Sequence, residues 1–299
     1  MSANIYDCFM YYDEDVLLEF RLNYLNQHVH KFIIVECGYS HRGLRKKFNF
    51  NINKFKIFKD KIIYIQIKNK PNNLHVIKKS DDENTKCIKH ISNGYIWDHY
   101  QRNKIIEGLK DCNENDIVII SDLDEIPNLE NQDFSKIQEK LIFFKQKFLF
   151  YKFNLIYKNK DWYGSRACRF KDLISPQWLR DIKYKKYPFW RFDRFFTRKK
   201  YSDILYIENG GWHYTNLKSA EDIFKKLKNY AHYLEFEISN IELKDIKEMI
   251  KSRKAIYNHN VDQKMNKFDG TVKLHKFSKK FWPSYLKHNY NKYKDWLIS

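Results

Sequence analysis

The sequence predicts an α/β protein with a mainly parallel central sheet that is flanked by helices. Residues 30–37, 61–67 and 116–122 are apolar, β-branched runs with the length of buried strands. A helical pattern over residues 95–110 lies between the second and third runs, as in a βαβ unit whose helix covers a parallel sheet. The polar, Lys- and Asn-rich residues 68–94 predict a mobile excursion before this helix.

The pattern changes in the second half of the chain. Residues 147–157 and 201–207 are rich in aromatic residues and predict strands that continue the sheet in mixed orientation. Residues 220–236 and 241–257 predict two C-terminal helices. In the final segment Pro283 predicts the start of a further helix, because proline suits the first helical turn.

The composition is strongly basic. The 299 residues include 56 Lys and Arg against 37 Asp and Glu, which gives a formal charge of +19. Such an excess favours nucleic acid, an acidic membrane surface or a phosphorylated substrate as partner. The abundance of Lys, Asn, Ile, Tyr and Phe is also what an A/T-rich genome produces, so the charge alone decides little. Residues 183–200 alternate aromatic and cationic side chains, which keeps single-strand nucleic-acid binding open as an alternative.

The cysteines and the N-terminus bear on the compartment. The five cysteines are scattered and form no CxxC pair, which argues against a disulfide scaffold and against a structural zinc site. The N-terminus has no basic stretch followed by an apolar one, and no apolar run approaches the ~20 residues of a membrane helix. We therefore expect a cytoplasmic protein without signal peptide or transmembrane segment, at most peripheral to a membrane.

The stretch DIVIISDLDEIP places Asp122, Asp124 and Glu125 at the end of an apolar strand. Ligands of open α/β sheets bind beyond the carboxyl ends of the strands. Crowded carboxylates are tolerable there if a divalent cation neutralises them, and oxygen ligands suit Mg²⁺ or Mn²⁺. The DxD pattern therefore predicts a metal site. The alternative is a strand-to-loop junction in which an aspartate caps a turn.

Two further features point to the same site. Arg102 lies on the apolar stripe of its predicted helix, so its guanidinium needs an anionic partner, either a phosphate or an internal carboxylate such as Asp98 or Asp122. In ENGGWHYT, two glycines permit unusual backbone angles or a close approach, and they precede His213. A lone histidine is usually a satisfied polar residue, but beside a carboxylate site it is a candidate ligand.

These stretches, in this order, resemble glycosyltransferase family 17, whose best-known animal members add the bisecting N-acetylglucosamine to N-glycans. IYDCFMYYDEDVLLEFRLNYL followed by FIIVECGYSHRGLRKKFNF is similar to the opening of the family. YQRNKIIEGL resembles its QRN helix, GGWHYT its GWHFS stretch, and KKLKNYAHYLEF the helix that follows. Together the matches span about residues 5–236 with their order and spacing intact.

The resemblance implies a GT-A-type nucleotide-diphospho-sugar transferase fold and an inverting transfer that depends on Mn²⁺ or Mg²⁺. The implied donor is a UDP-sugar, foremost UDP-N-acetylglucosamine. It implies one catalytic domain over residues 1–299. Within it, residues 1–127 would form the nucleotide-binding half, 128–236 the acceptor and metal half, and 237–299 a C-terminal helical extension.

The resemblance also assigns site residues. It places the metal with Asp122, Asp124 and His213, with Asp122 reaching either the metal or the ribose. Its helix motifs assign to the donor side a group of polar and cationic residues, which are Gln101, Arg102, Asn103 and Lys226. It also matches His232 to the later helix.

Other site assignments come from the residues themselves. Glu36 ends a buried strand, which suggests contact with the nucleoside. Inversion needs a general base, and the candidates are Asp193 and Glu208. A surface carboxylate paired with Arg or Lys is the alternative for both. Trp212 is a candidate platform for an acceptor sugar, although aromatic residues make up 17% of the chain and most belong to the core.

The sequence also departs from the family pattern. Cys37 stands where serine is common and a usual proline is missing. We also expect no membrane stalk of the kind that the animal members carry. The glycoprotein acceptor of the animal members is therefore not carried over. We expect a glycan, lipopolysaccharide or lipid-linked acceptor, with C-terminal lysines near anionic lipid, and no nucleic acid. The remaining alternatives are a nucleic-acid-binding protein and a metal-dependent nucleotidyltransferase.

Overall fold

The computed structural model describes residues 3–185, 187, 197–228, 233–259, 268 and 270–298. Its strands are β1 (Ile5–Met10), β2 (Lys31–Cys37), β3 (Ile62–Ile67), β4 (Ile117–Asp122), β5 (Glu125–Pro127), β6 (Leu141–Phe144), β7 (Gln146–Phe150), β8 (Leu155–Trp162), β9 (Arg166–Arg169), β10 (Ile204–Ile207), β11 (Gly211–Thr215) and β12 (His275–Lys276). Its helices are α1 (Asp15–Leu25), α2 (Glu83–Asn103), α3 (Pro176–Asp181), α4 (Ala220–Leu227), α5 (Tyr233–Ile238), α6 (Leu243–Lys251) and α7 (Ser284–His288).

The described residues form two mixed sheets. The larger sheet has seven strands in the order β10-β6-β9-β4-β1-β2-β3. Strands β3, β2, β1 and β4 run parallel to one another, and so do β6 and β10. Strand β9 is antiparallel to both of its neighbours. The sheet expected to be mainly parallel is therefore mixed.

The smaller sheet has five strands in the order β12-β8-β7-β11-β5. Its only parallel pair within the described ranges is β7 with β11. Short links of one to three residues connect the two sheets at four points, from β4 to β5, β6 to β7, β8 to β9 and β10 to β11. The stretch that carries the DxD motif is the first of these crossings along the chain.

Both faces of the larger sheet are covered. On β4, Ile117 and Ile119 pack into a core cluster that contains the apolar side chains of α1. Val118 and Ile120 point the other way and pack with Trp97 of α2. All four side chains are at most 1% exposed, so the period-two alternation of the strand serves two apolar layers. This is why the strand reads as a continuous apolar run.

Several boundaries differ from the sequence prediction. The stretch expected to be a mobile excursion contains the first half of α2, which begins after the N-cap Asp82. The buried residues of this helix all lie from Gly94 onward. The predicted strand 147–157 is interrupted because Tyr151 adopts a left-handed backbone with φ 61°, which separates β7 from β8. Strand β1, an interior strand of the larger sheet between β4 and β2, was missed.

The C-terminal predictions are partly confirmed. Helix α7 begins directly after Pro283, as expected. Helices α4 and α6 are both shorter than the predicted segments 220–236 and 241–257. Strand β12 pairs with β8, so the C-terminal region contributes to the smaller sheet as well as helices. Among the described residues, no helix is long and apolar enough to cross a membrane.

Candidate active site

A cleft of about 240 Å³ lies beyond the carboxyl ends of three parallel strands of the larger sheet. Residues that follow β1 and β2 form two of its walls, and the acidic loop that follows β4 forms a third. Strand β1 lies between β2 and β4, so the chain runs from β1 to β2 and β3 on one side of β1 and then returns from β3 to β4 on its other side. A crevice at such a reversal of strand order is the usual ligand site of open α/β sheets.

Charged side chains line this cleft. The carboxylates are those of Glu14, Asp98, Asp122 and Asp124. The lining also includes His41 and two lysines, Lys46 and Lys226. Carboxylates and lysines in one cleft suit a ligand that carries both hydroxyl groups and a diphosphate, or a cation bound together with one.

Two arginines hold Asp122. Arg102 donates from Nη2 to Oδ1 at 3.1 Å, and Arg180 of α3 donates from Nη2 to Oδ2 at 3.0 Å. Burial raises the pKa of this carboxyl, but Arg180 and Arg102 outweigh this effect and hold the pKa well below its usual range. The group is therefore ionised in the folded protein. Asp122 still faces the cleft, with 40% of its side chain exposed. It is therefore a fixed anion with exposed surface.

Glu125 is completely buried and lies behind the acidic loop. Arg180 donates to both carboxylate oxygens, at 2.7 and 3.0 Å. The indole of Trp162 donates to Oε1 at 2.7 Å, and the backbone N–H of Asp122 donates to Oε2 at 2.8 Å. A carboxylate with four donors is fully satisfied, so Glu125 stabilises the loop and is shielded from the cleft.

The QRN residues of α2 have three different roles. Arg102 pairs with Asp98 at 2.6 and 3.1 Å as well as with Asp122, so both internal partners considered from the sequence are present. Gln101 lines the cleft and donates to the carbonyl of Val35 at 3.1 Å. Asn103 is exposed, and its side-chain oxygen accepts from a backbone N–H near the start of α3. Only Gln101 of the three forms part of the cleft wall.

Asp124 lies opposite His213 of β11. His213 Nε2 and Asp124 Oδ2 are 3.5 Å apart. The imidazole is stacked on Phe148 at 4.9 Å and lies 4.6 Å from the ring of Trp162. Burial raises the pKa of Asp124, but His213 and Lys226 lower it below its usual range. The pair is held by ring packing and faces the cleft through the carboxylate.

A glycine brings β11 close enough for this arrangement. Gly211 has φ 120°, and a Cβ atom at this position would collide with the carbonyl oxygen of Ile126 in β5. The close approach fixes the register in which His213 lies opposite Glu125. The backbone N–H of Tyr214 donates to the carbonyl of Asp124 at 2.8 Å. The sequence expectation of a close backbone approach at the paired glycines is met at Gly211.

The metal expected from the sequence can be compared with these contacts. Within the residues that the structure describes, no group of three His, Cys, Asp or Glu side chains could hold a metal ion. Asp124 and His213 do fit as two ligands of one ion. Two atoms that each lie about 2.1 Å from the same ion are at most ~4 Å apart, and His213 Nε2 and Asp124 Oδ2 are within that limit. Mg²⁺ and Mn²⁺ commonly take remaining ligands from phosphates and water. Asp122 fits less well, since each of its oxygens accepts from an arginine.

Lys226 of α4 lines the cleft, which is compatible with the diphosphate contact expected from the sequence. Burial raises the pKa of Glu14, but Lys218 and Lys226 outweigh this effect and lower the pKa below its usual range. Lys218 lies 3.4 Å from Glu14 and also pairs with Asp13. Helix α4 thus places positive charge opposite the acidic loop.

Other predicted site residues lie away from the cleft lining. Glu36 is buried, and its oxygens accept from Tyr64, Lys46 and two backbone N–H groups of the loop after β2. It stabilises that loop, part of which lines the cleft. Trp212 is 6% exposed and belongs to the main core, where its indole donates to the carbonyl of Phe281 at 2.9 Å.

Glu208 and Asp193 are the two candidates for the general base. Glu208 is exposed and pairs with Lys145 at 2.9 Å, outside the cleft lining. This is the surface ion pair that was the alternative interpretation of that residue. Asp193 lies outside the described residues, and so does His232.

Arg180 is the main residue that sequence reasoning missed. It lies on a six-residue helix and its partners, Asp122 and Glu125, are far away along the chain. A weak signal was present, since three carboxylates at one strand end require compensating positive charge. Nothing in the local sequence indicates which of the chain's many basic residues supplies it.

The fold and the cleft define an α/β protein with an acidic cleft at the carboxyl edge of parallel strands. The model of glycosyltransferase family 17 matches residues 1–298, which is almost the whole chain. The chain therefore belongs to glycosyltransferase family 17 and is a glycosyltransferase. A search of curated proteins found no match.

Proposed function

We propose that this glycosyltransferase transfers N-acetylglucosamine from UDP-N-acetylglucosamine to a hydroxyl group of a glycan or glycolipid, with inversion at the anomeric carbon and with Mn²⁺ or Mg²⁺. The observation that carries the proposal is the pair of Asp124 and His213 at a cleft that also contains Asp122 and Lys226. Two potential metal ligands, a fixed anion and a lysine are the groups that a nucleoside diphosphate with a cation requires.

The topology supports a GT-A-type fold in this proposal. Strands β3, β2, β1 and β4 form a continuous parallel set. Helix α2 connects β3 to β4 along the chain. The cleft lies where the strand order reverses, between β1 and β4. Nucleotides bind at this position in other open α/β sheets.

Each charged group has a proposed role. Asp124 and His213 would hold the cation, which when bound supplies a Lewis acid that neutralises the diphosphate. Lys226 would bind a phosphate oxygen and stabilise the charge that develops on the departing UDP. Asp122, fixed by Arg102 and Arg180, would accept hydrogen bonds from donor hydroxyl groups. It is poorly suited to take up a proton because the arginines lower its pKa.

The general base in this proposal is Asp193. The carboxylates that line the described part of the cleft lie against cationic or imidazole groups: Glu14 against Lys218, Asp98 and Asp122 against Arg102, and Asp124 against His213. A carboxylate held by a cation is a weaker base. Glu208 lies outside the cleft lining, so of the two original candidates Asp193 is retained.

The acceptor proposal includes lipid-linked glycans and lipopolysaccharide. The C-terminal region presents Phe281 at 50% exposure and Tyr290 at 43%, beside the exposed side chains of Lys279 and Lys280. Aromatic and lysine side chains on one surface suit the interface of an anionic membrane. Flotation with anionic and zwitterionic vesicles tests this contact. Equal recovery with both kinds of vesicle would reject it.

The reaction class can be tested by its product. Incubation with UDP-N-acetylglucosamine and Mn²⁺ should release UDP slowly in the absence of acceptor, and faster when a suitable glycan is added. A nucleotidyltransferase would instead release pyrophosphate from a nucleoside triphosphate. A nucleic-acid-binding protein would show an affinity for single strands that falls steeply with salt and would not bind UDP-sugars. Either of these two results would reject the proposal.

A further inference from the structure

Arg21 is a completely buried arginine on α1 that lies behind the acidic loop. Its guanidinium forms a two-pronged ion pair with Asp7 of β1, at 2.8 Å from Nε and 2.6 Å from Nη2. Asp7 is also completely buried. One face of the guanidinium lies 4.5 Å from the centre of the Phe9 ring. The side chain is therefore fixed in position and in orientation.

The remaining hydrogen bonds of Arg21 all go to the loop that carries the DxD motif. Nη1 donates to the carbonyl oxygens of Asp122, Leu123 and Glu125, at 3.0, 3.0 and 2.9 Å. Nη2 donates to Oγ of Ser121 at 2.6 Å. One guanidinium thus contacts four of five consecutive residues, and the carbonyl of the fifth, Asp124, accepts from β11.

These contacts decide which side of the loop faces the cleft. The carbonyls of residues 122, 123 and 125 converge on Arg21 at the back of the loop. The cleft on the other side is lined by Asp122, Leu123 and Asp124. Converging carbonyl oxygens repel one another unless a donor or a cation lies between them, so the loop depends on a positive group at this place. Asp7 keeps the buried charge balanced.

We propose that Arg21 is a positioning residue for donor binding, which holds residues 121–125 so that the carboxylates of Asp122 and Asp124 face the donor. The inference rests on the proposed function, because it assumes that these carboxylates bind a UDP-sugar and its cation. A lysine cannot replace the arginine. Its single nitrogen cannot reach Asp7 and three carbonyls at once, whereas the planar guanidinium presents five N–H donors.

The test compares Arg21→Lys with the wild-type protein and with a control variant, Asn154→Ala. Asn154 is also buried, and its side chain binds both backbone groups of Ile298, outside the cleft lining. Both substitutions should lower the melting temperature. Two readouts are independent of turnover: the affinity for UDP in the presence of Mn²⁺ by calorimetry, and the affinity for Mn²⁺ alone by electron paramagnetic resonance of the free ion.

We expect Arg21→Lys to weaken UDP binding by at least about tenfold, since small misplacements of binding groups carry costs of this size or larger. Mn²⁺ binding should weaken as well, while Asn154→Ala stays within about twofold of the wild type in both. Arg21→Lys that binds UDP like the wild type would overturn the inference. A wild-type protein that does not bind UDP would reject the proposed function, and this inference with it.

A milder variant covers the case in which Arg21→Lys does not fold. Asp7→Asn keeps the shape of the side chain but leaves the guanidinium without its carboxylate partner. The orientation of Arg21 should then be less well fixed, and UDP affinity should fall relative to Asn154→Ala. Unchanged UDP affinity in a folded Asp7→Asn protein would overturn the inference.

Discussion

His213 Nε2 lies 3.5 Å from Oδ2 of Asp124, although His213 belongs to the smaller sheet and Asp124 follows a strand of the larger one. The contact forms where the chain passes from β4 to β5. It depends on the close approach of β11 to β5 at Gly211. The acidic loop that lines the cleft is therefore held from both sheets, and in the proposed function the cation ligands come from this loop and from the smaller sheet.

The first prediction concerns Asp124. Asp124→Asn removes the charge of the proposed cation ligand while keeping its shape. Transfer activity should fall at least about 100-fold, as for the loss of other preorganised charges in active sites. The free energy of unfolding should change by less than about 1 kcal/mol, because the side chain is partly exposed. Activity assays and urea denaturation measure the two effects. Asp133→Asn, an exposed aspartate outside the cleft lining, is the control and should keep its activity.

The second prediction concerns the buried pair of Arg180 and Glu125. Arg180→Met leaves Glu125 without its charged partner, and the free energy of unfolding should fall by about 3 kcal/mol or more. Glu125→Leu should have a similar effect. The double variant should lose clearly less than the sum of the two, since the buried charges disappear together. Strictly additive losses in urea denaturation would show that the two side chains do not interact as described.

The third prediction separates the two candidates for the general base. Glu208→Gln should leave kcat within about twofold of the wild type, because its surface ion pair with Lys145 contributes little. Asp193→Asn should lower kcat by about 100-fold or more, the contribution typical of a general base. Both variants should bind UDP as the wild type does. A large loss of kcat in Glu208→Gln would reverse the assignment.

The fourth prediction concerns Trp212, which the sequence suggested as an acceptor platform and the structure places in the core. Trp212→Phe loses a buried hydrogen bond to the carbonyl of Phe281 and part of its packing. The free energy of unfolding should fall by about 1–2 kcal/mol. The KM for acceptor should not change. A raised acceptor KM with unchanged stability would restore the original assignment.

The position of the acidic loop could be predicted because it follows from local sequence. An apolar strand that ends in DxD, in a βαβ context, determines which edge of the sheet carries the carboxylates. The family resemblance then indicated His213 and Lys226, and both lie at or against the cleft. Local pattern and motif order were sufficient for these residues.

Other parts of the structure depend on contacts that the sequence does not indicate. Strand β1 was missed because Asp7 interrupts its apolar run, and the reason for this aspartate, Arg21, becomes visible only in the fold. The start of α2 was missed because its first half has no buried stripe. Glu36 was assigned to the nucleoside, but a carboxylate at a strand end can equally accept from the N–H groups of its own loop.

The most direct test of the proposed function is a thermal-shift titration with nucleotide sugars, with and without Mn²⁺. A ligand that binds only the folded protein raises the melting temperature, and the shift grows with ligand concentration. We predict stabilisation by UDP-N-acetylglucosamine that requires Mn²⁺, is reversed by EDTA, and is lost in Asp124→Asn. Equal stabilisation in EDTA would contradict the role of the cation, and the absence of stabilisation by any UDP-sugar would contradict the proposed donor site.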